Sequence, residues 1–230
     1  MIEKLKANLN SIHQRIEMAA SKSGRTAAEI KLVGVTKYVD AETTQNLFEA
    51  GCADLGESRP QVLWDKSAAL TGMPIRWHMI GHLQRNKVKR TVDCCELIHS
   101  VDSERLMLAI DQAGQALQKT AHVLIEINVS GETAKHGFNE SEVEVILAKV
   151  ESFKHIQVDG LMCMAGLRGD LNSARQEFAA LKEIQMKFQS DVASNVNLKH
   201  LSMGMSGDFE TAIEEGATLV RVGSLLFEGL

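Results

Sequence analysis

Proline, tyrosine and cysteine are all scarce in this chain of 230 residues, and each scarcity excludes something. There are two prolines, Pro60 and Pro74, and no stretch rich in Pro, Gly or Ser. No interdomain linker is therefore expected, and residues 1–230 read as a single domain. Four cysteines are too few for a disulfide framework in a chain of this length. Cys52 and Cys163 lie in apolar, strand-like runs, and Cys94 and Cys95 are adjacent, which suits reduced thiols in the cytoplasm. No run approaches the roughly 18 unbroken apolar residues of a membrane span. The opening "MIEKLKANLNSIHQRIEMAASKSG" carries charge throughout, so no signal peptide is expected. A formal net charge of -5 provides no basic field for nucleic acid or acidic membranes. The basic cluster "QRNKVKR" (84–90) reads as a solvated helix face.

Alternation of short apolar runs with helical periods is what the chain does contain. Ile2, Leu5, Leu9, Ile12, Ile16 and Ala19 recur at helical spacing, so an amphipathic helix closed by Gly24 is expected first. Eight strand candidates follow, at 31–37, 52–58, 76–83, 96–102, 122–130, 157–166, 198–206 and 218–227. Helical stretches fill the gaps, with clear 3.6 periodicity at 141–153 and 173–189. Near-continuous apolar strands separated by helices imply a parallel sheet covered by helices. Eight of them imply closure into a single (β/α)8 TIM barrel with an extra N-terminal helix. The alternative, an open doubly wound sheet, usually advertises a GxGxxG first turn, and here the first turn is "TKYVDAE".

A barrel places its chemistry at the C-terminal ends of its strands. Those ends carry Lys37, "GESR" (56–59), "HLQRNK" (82–87), Ser100–Asp102, "NVSGETAKHG" (128–137), "CMAG" (163–166), "SMGMSGD" (202–208) and "VGS" (222–224). The set is rich in donors and small residues and poor in carboxylates. Val33, Val35 and Lys37 share one face of the first strand. A lysine can simply snorkel out at a strand end. In an apolar mouth, however, its neutral amine is favoured and attacks carbonyls, either of a substrate or of pyridoxal phosphate. Strand eight closes beside strand one, and an inward Arg221 would face a pyridine nitrogen, with Gly223 and Ser224 nearer a phosphate. The loop "LSMGMSGD" is read as opening a helix at Ser206, and the loops after strands seven and eight are the usual phosphate site of this fold. His78 and His82 share a strand face, but four strand residues span roughly 13 Å, too far for one ion, so no metal site is expected from them.

"VTK" (35–37), "GES" (56–58), "WHMIGHLQRNK" (77–87), "GLMCM" (160–164), "LSMGMSGDFETAIEEGATLVRVGS" (201–224) and the closing "LFEG" together resemble the YggS/PROSC family over essentially the whole chain. These are pyridoxal phosphate homeostasis proteins with a barrel like that of alanine racemase, a fold type III cofactor protein. The resemblance implies that Lys37 carries pyridoxal 5'-phosphate as a Schiff base and that Arg221 sits near the pyridine nitrogen. It puts Ser202, Met205, Ser206, Gly223 and Ser224 at the phosphate, with His82 at the rim and Met162 completing the cofactor set. Ser58 stands where the family usually has asparagine, a shorter side chain that weakens a contact near the ring. "KHG" (135–137) departs from the usual "KSG".

A racemase needs acid/base groups on both faces of the bound cofactor. The barrel uses the whole 230 residues, and the single tyrosine, Tyr38, is adjacent to Lys37 rather than opposed to it. A monomeric protein that sequesters the cofactor and delivers it to apo-enzymes is therefore expected. The alternatives are a racemase-like pyridoxal phosphate enzyme and a class I aldolase-like barrel in which Lys37 binds a substrate carbonyl.

Overall fold

The computed structural model describes the chain except for residues 132–135, 167–169 and 191–192. Eight parallel strands close on themselves in chain order. They are β1 (Lys31–Val35), β2 (Asp54–Glu57), β3 (Arg76–Met79), β4 (Leu97–Val101), β5 (Ala121–Glu126), β6 (Ile156–Met162), β7 (Val196–Ser202) and β8 (Leu219–Val222). Each lies inside its expected segment or within two residues of it. The overreach is mostly at the C-terminal ends, where apolar residues continue into the loops that form the barrel mouth. The last four residues of the expected eighth strand, Ser224–Phe227, form a 3₁₀ turn instead. Closure is made by β1 on β8, with Val33 opposite Arg221.

Helices α1 (Ile2–Lys22), α2 (Ala41–Glu49), α3 (Pro60–Ala69), α4 (Val88–Cys94), α5 (Glu104–Leu117), α6 (Glu140–Val150), α7 (Leu171–Phe188) and α8 (Phe209–Glu214) surround the barrel. Asp40, Ser103 and Asp170 cap α2, α5 and α7 by accepting backbone N–H bonds, and Pro60 opens α3 at its first helical position. Helix α1 buries Leu5, Leu9, Ile12, Ile16 and Ala19, and Gly24 turns the chain out at φ 69°. It packs on α2, α8 and the 3₁₀ turn, so it covers the seam between β8 and β1. That is the place of the helix that would follow β8, which is followed only by the short turn.

Two apolar clusters result. The larger fills the space between strands and helices. The smaller is the barrel interior and takes one residue from each of five strands: Val33, Leu97, Leu124, Met162 and Leu219. The rest of that interior is polar, which is unusual where branched apolar side chains normally dominate. Among the described residues, no helix is long and apolar enough to cross a membrane. All four cysteines are free thiols.

Candidate functional site

The mouth of the barrel holds a pocket of about 560 Å³, within the usual range for a small-molecule site. Lys37 enters it from the turn after β1, and Val35, Val39, Ile80, Met164 and Phe227 contribute apolar wall. Among the described residues, the Lys37 ammonium makes no ion pair; it lies 4.9 Å from the centroid of the exposed Tyr38 ring. The strand end beneath it is fixed from outside the barrel. Lys66 of α3 donates to the Thr36 carbonyl at 2.7 Å and to Glu57 Oε1 at 2.5 Å, and the Thr36 hydroxyl donates to the same carboxylate oxygen at 2.6 Å. Both partners of this ion pair are buried.

Arg221 reaches the pocket floor and is buried. Its guanidinium donates to Ser202 Oγ at 2.6 Å and to the Cys163 carbonyl at 2.9 Å. Burial lowers its pKa, against the pull of negative groups including Asp208 and Glu126. A chain of hydrogen bonds runs down from it. Ser202 meets His99 Nδ1 at 2.8 Å, His99 Nε2 meets His78 Nδ1 at 2.9 Å, and His78 Nε2 meets Asp54 Oδ1 at 3.0 Å. The ionised Asp54 carboxylate can only accept, so His78 donates to it from Nε2. A neutral His99 donates through only one ring nitrogen, so it joins Ser202 Oγ and His78 by donating to one and accepting from the other. Burial, reinforced by the charges around it, holds His99 well below the usual histidine range. Burial also acts to raise the pKa of Asp54, but hydrogen bonds from His78 and Arg76 outweigh it and keep the carboxyl ionised.

The loops after β7 and β8 form the opposite wall. Gly223 N donates to Ser206 Oγ at 3.2 Å, tying one loop to the other. Met205, Ser206, Gly207, Gly223 and Ser224 all line the pocket. The helix expected to open at Ser206 starts three residues later, at Phe209. Asp208 folds back to accept from Met205 N at 2.6 Å, which holds residues 206–208 in a turn.

Ser58, Gly81 and Ser100 line the third side. Ser100 Oγ donates to the Gly81 carbonyl at 2.6 Å. A Cβ on Gly81 would lie 2.3 Å from the Ser58 carbonyl oxygen, so only glycine lets the two loops meet there. Beyond them His82 leaves the strand altogether and pairs with Asp102 at 3.1 Å, on the rim.

Two expected residues sit one layer too low. Ser202 and Met162 end their strands pointing into the barrel interior rather than onto the pocket wall. Ser202 supports Arg221 from below, and Met162 packs with Val33 and Leu124. Met164, two residues further on, lines the wall instead.

The family model described as alanine racemase, N-terminal domain, matches residues 2–230. A pyridoxal phosphate homeostasis protein of Aquifex aeolicus is 37% identical over 219 residues, covering 95% of both chains. This chain belongs to the pyridoxal phosphate homeostasis proteins of the alanine racemase N-terminal-domain family. A solved structure of the family, PipY of Synechococcus elongatus with pyridoxal phosphate bound, superposes with a TM-score of 0.81 at 30% identity, covering 94% of this chain and 99% of that one. Alanine racemase of Clostridium difficile shares the fold at a TM-score of 0.75 and 16% identity, with 98% of this chain matching 56% of that one.

Sequence reasoning missed Glu126 on the pocket wall, and it put Ser100 and His136 at the active face without giving either a role. Glu126 is the instructive case. It lies in the middle of the apolar run "HVLIEINVS", at the last position of β5, and is buried. Burial, reinforced by the negative Asp102, pushes its pKa up to about 7 even though Arg221 pulls the other way. The signal was available, because a charged residue inside an otherwise apolar strand is costly without a reason.

Proposed function

We propose that this protein binds pyridoxal 5'-phosphate in the mouth pocket and serves in the cytoplasm as a carrier that sequesters the cofactor and releases it to apo-enzymes. The observation that carries the reading is one apolar pocket holding an unpaired lysine amine and a fixed arginine, walled by two joined loops of small and hydroxyl residues. That donor set fits the cofactor. When bound, it supplies an aldehyde that condenses with an amine, and Lys37 is the amine offered. Ser206, Ser224 and the backbone around Gly207 and Gly223 would hold the phosphate, and nothing lies within 4 Å of where a Gly207 Cβ would point.

Arg221 supports carriage rather than turnover. Its guanidinium can only donate, so a ring nitrogen facing it is left without a proton. That weakens the electron sink on which most carbanion chemistry of this cofactor depends. Tyr38 shares a turn with Lys37 and leaves no opposed Lys/Tyr pair.

Glu126 favours a second reading. A carboxyl with a pKa near 7 in the same pocket suits proton transfer, as a racemase-like enzyme would need. The deciding experiment begins with near-ultraviolet and visible absorption of the purified protein and of Lys37→Ala, before and after borohydride. A yellow band, lost on reduction and absent from the variant, supports cofactor binding at Lys37. A colourless protein that also takes up no added cofactor overturns it and favours the aldolase-like reading. With the cofactor bound, exchange of an amino-acid α-hydrogen into solvent would favour the enzyme over the carrier.

A further inference from the structure

We propose that His82, Asp102 and His136 form a binding site for one divalent transition-metal ion of the zinc class, which ties three loops together across the barrel mouth. The three side chains come from the loop after β3, the end of β4 and the loop between β5 and α6. His82 Nδ1 and His136 Nδ1 both face Asp102 Oδ2, at 3.1 and 3.6 Å, and one ligand atom from each residue lies within 4.8 Å of the others. Donor atoms bound about 2.0–2.1 Å from a tetrahedral zinc lie about 3.3 Å apart. Two of the three separations lie close to that edge, and the third is no more than 4.8 Å. At 3.6 Å the His136 contact is too long for a hydrogen bond, so a bond to Asp102 does not account for its placement.

The supports are those of a ligand set. Ser103 Oγ donates to Asp102 Oδ1 at 3.0 Å, which orients the carboxylate and leaves Oδ2 toward the imidazoles. The rings of His82 and His136 are stacked, with centroids 4.4 Å apart at 20°. The chain just after His136 is anchored: Phe138 N donates to the Glu126 carbonyl at 2.8 Å, and Asn128 N donates to the Phe138 carbonyl at 2.9 Å. Both imidazoles are about half exposed, so water can fill the fourth position. Two nitrogens and one oxygen select zinc, cobalt or nickel over magnesium or calcium, which prefer all-oxygen sites. His136 stands where the family motif has serine, so the third ligand is a feature of this chain.

His82 and His136 also line the pocket that holds Lys37. An ion joining them stiffens the mouth and slows exchange of whatever the pocket holds. This second part rests on the cofactor reading above; the metal site does not.

The test is calorimetric titration of chelator-stripped protein with zinc chloride near neutral pH, repeated for His136→Ser, Asp102→Asn and the control His122→Ser. All are exposed or rim positions, and circular dichroism checks their folding. One equivalent of zinc bound by the wild type and the control, with affinity lowered roughly tenfold or more in the two rim variants, supports the site. Intense visible bands on cobalt loading, lost in His136→Ser, support its tetrahedral geometry. No binding by the wild type, or binding that survives in both rim variants, overturns it. Release of the bound chromophore is then timed with and without zinc. Slowing in the wild type but not in His136→Ser supports the gating role, and equal rates overturn that role while leaving the site intact.

Discussion

Glu126 is the only carboxylate among the described residues that line the pocket, and it is buried beside the negative Asp102. Its pKa rises from 4.5 to about 7, so the folded chain keeps a proton that the unfolded chain releases between those values. The stability this contributes is full below pH 4.5 and is lost as the pH rises through 7. Glu126→Gln, which cannot ionise, should therefore be more stable than the wild type at about pH 8, by up to about 3 kcal/mol. The gap should close at about pH 4. Urea midpoints at the two pH values measure it, and an equal gap at both would sink the argument. Residues of this kind divide by how visible they are in sequence. Lys37 and Arg221 are visible because an isolated cation in or just after an apolar strand needs an explanation. Ser202 and Met162 lie one layer below the pocket lining, a difference of two strand residues that the apolar pattern does not resolve.

At the scale of elements, the turn after β1 is positioned by a helix that never touches the pocket. Lys66 on α3 reaches the Thr36 carbonyl and Glu57, immediately behind Lys37. Glu57 Oε2 has no hydrogen-bond partner among the described residues, so the pair leans entirely on its other oxygen. Lys66→Met leaves the carboxylate buried and uncompensated and should cost about 3–5 kcal/mol in urea unfolding. Glu57→Gln combined with Lys66→Met removes both charges and should recover most of the loss. A single variant within about 1 kcal/mol of wild type would show that the pair contributes little. This network was not legible in the sequence, because Lys66 sits at an ordinary helical position and its partners lie on two strands. The strands and their order were legible, since eight parallel strands leave a periodic apolar record. The 3₁₀ turn after β8 was not, because "SLLF" is as apolar as a strand.

The whole molecule is closed by its first helix. Ile12 is 2% exposed on α1, which packs on α2, α8 and the turn after β8, while Trp64 and Trp77 report on α3 and β3 elsewhere in the barrel. Ile12→Ala should cost about 2–5 kcal/mol. Tryptophan fluorescence and far-ultraviolet circular dichroism should shift to the same new urea midpoint, as one cooperative unit requires. An unchanged fluorescence midpoint would mean that α1 melts by itself. The same closure bears on how the chain is made. Asn8 on α1 donates to the carbonyls of Leu226 and Glu228, residues 218 and 220 positions later. On the ribosome, the helix is translated long before the seam it covers. Its apolar stripe has no permanent seat until Leu226 and Glu228 emerge. During synthesis, Leu5, Leu9, Ile12 and Ile16 form an exposed apolar stripe, the kind of surface through which partly made chains aggregate.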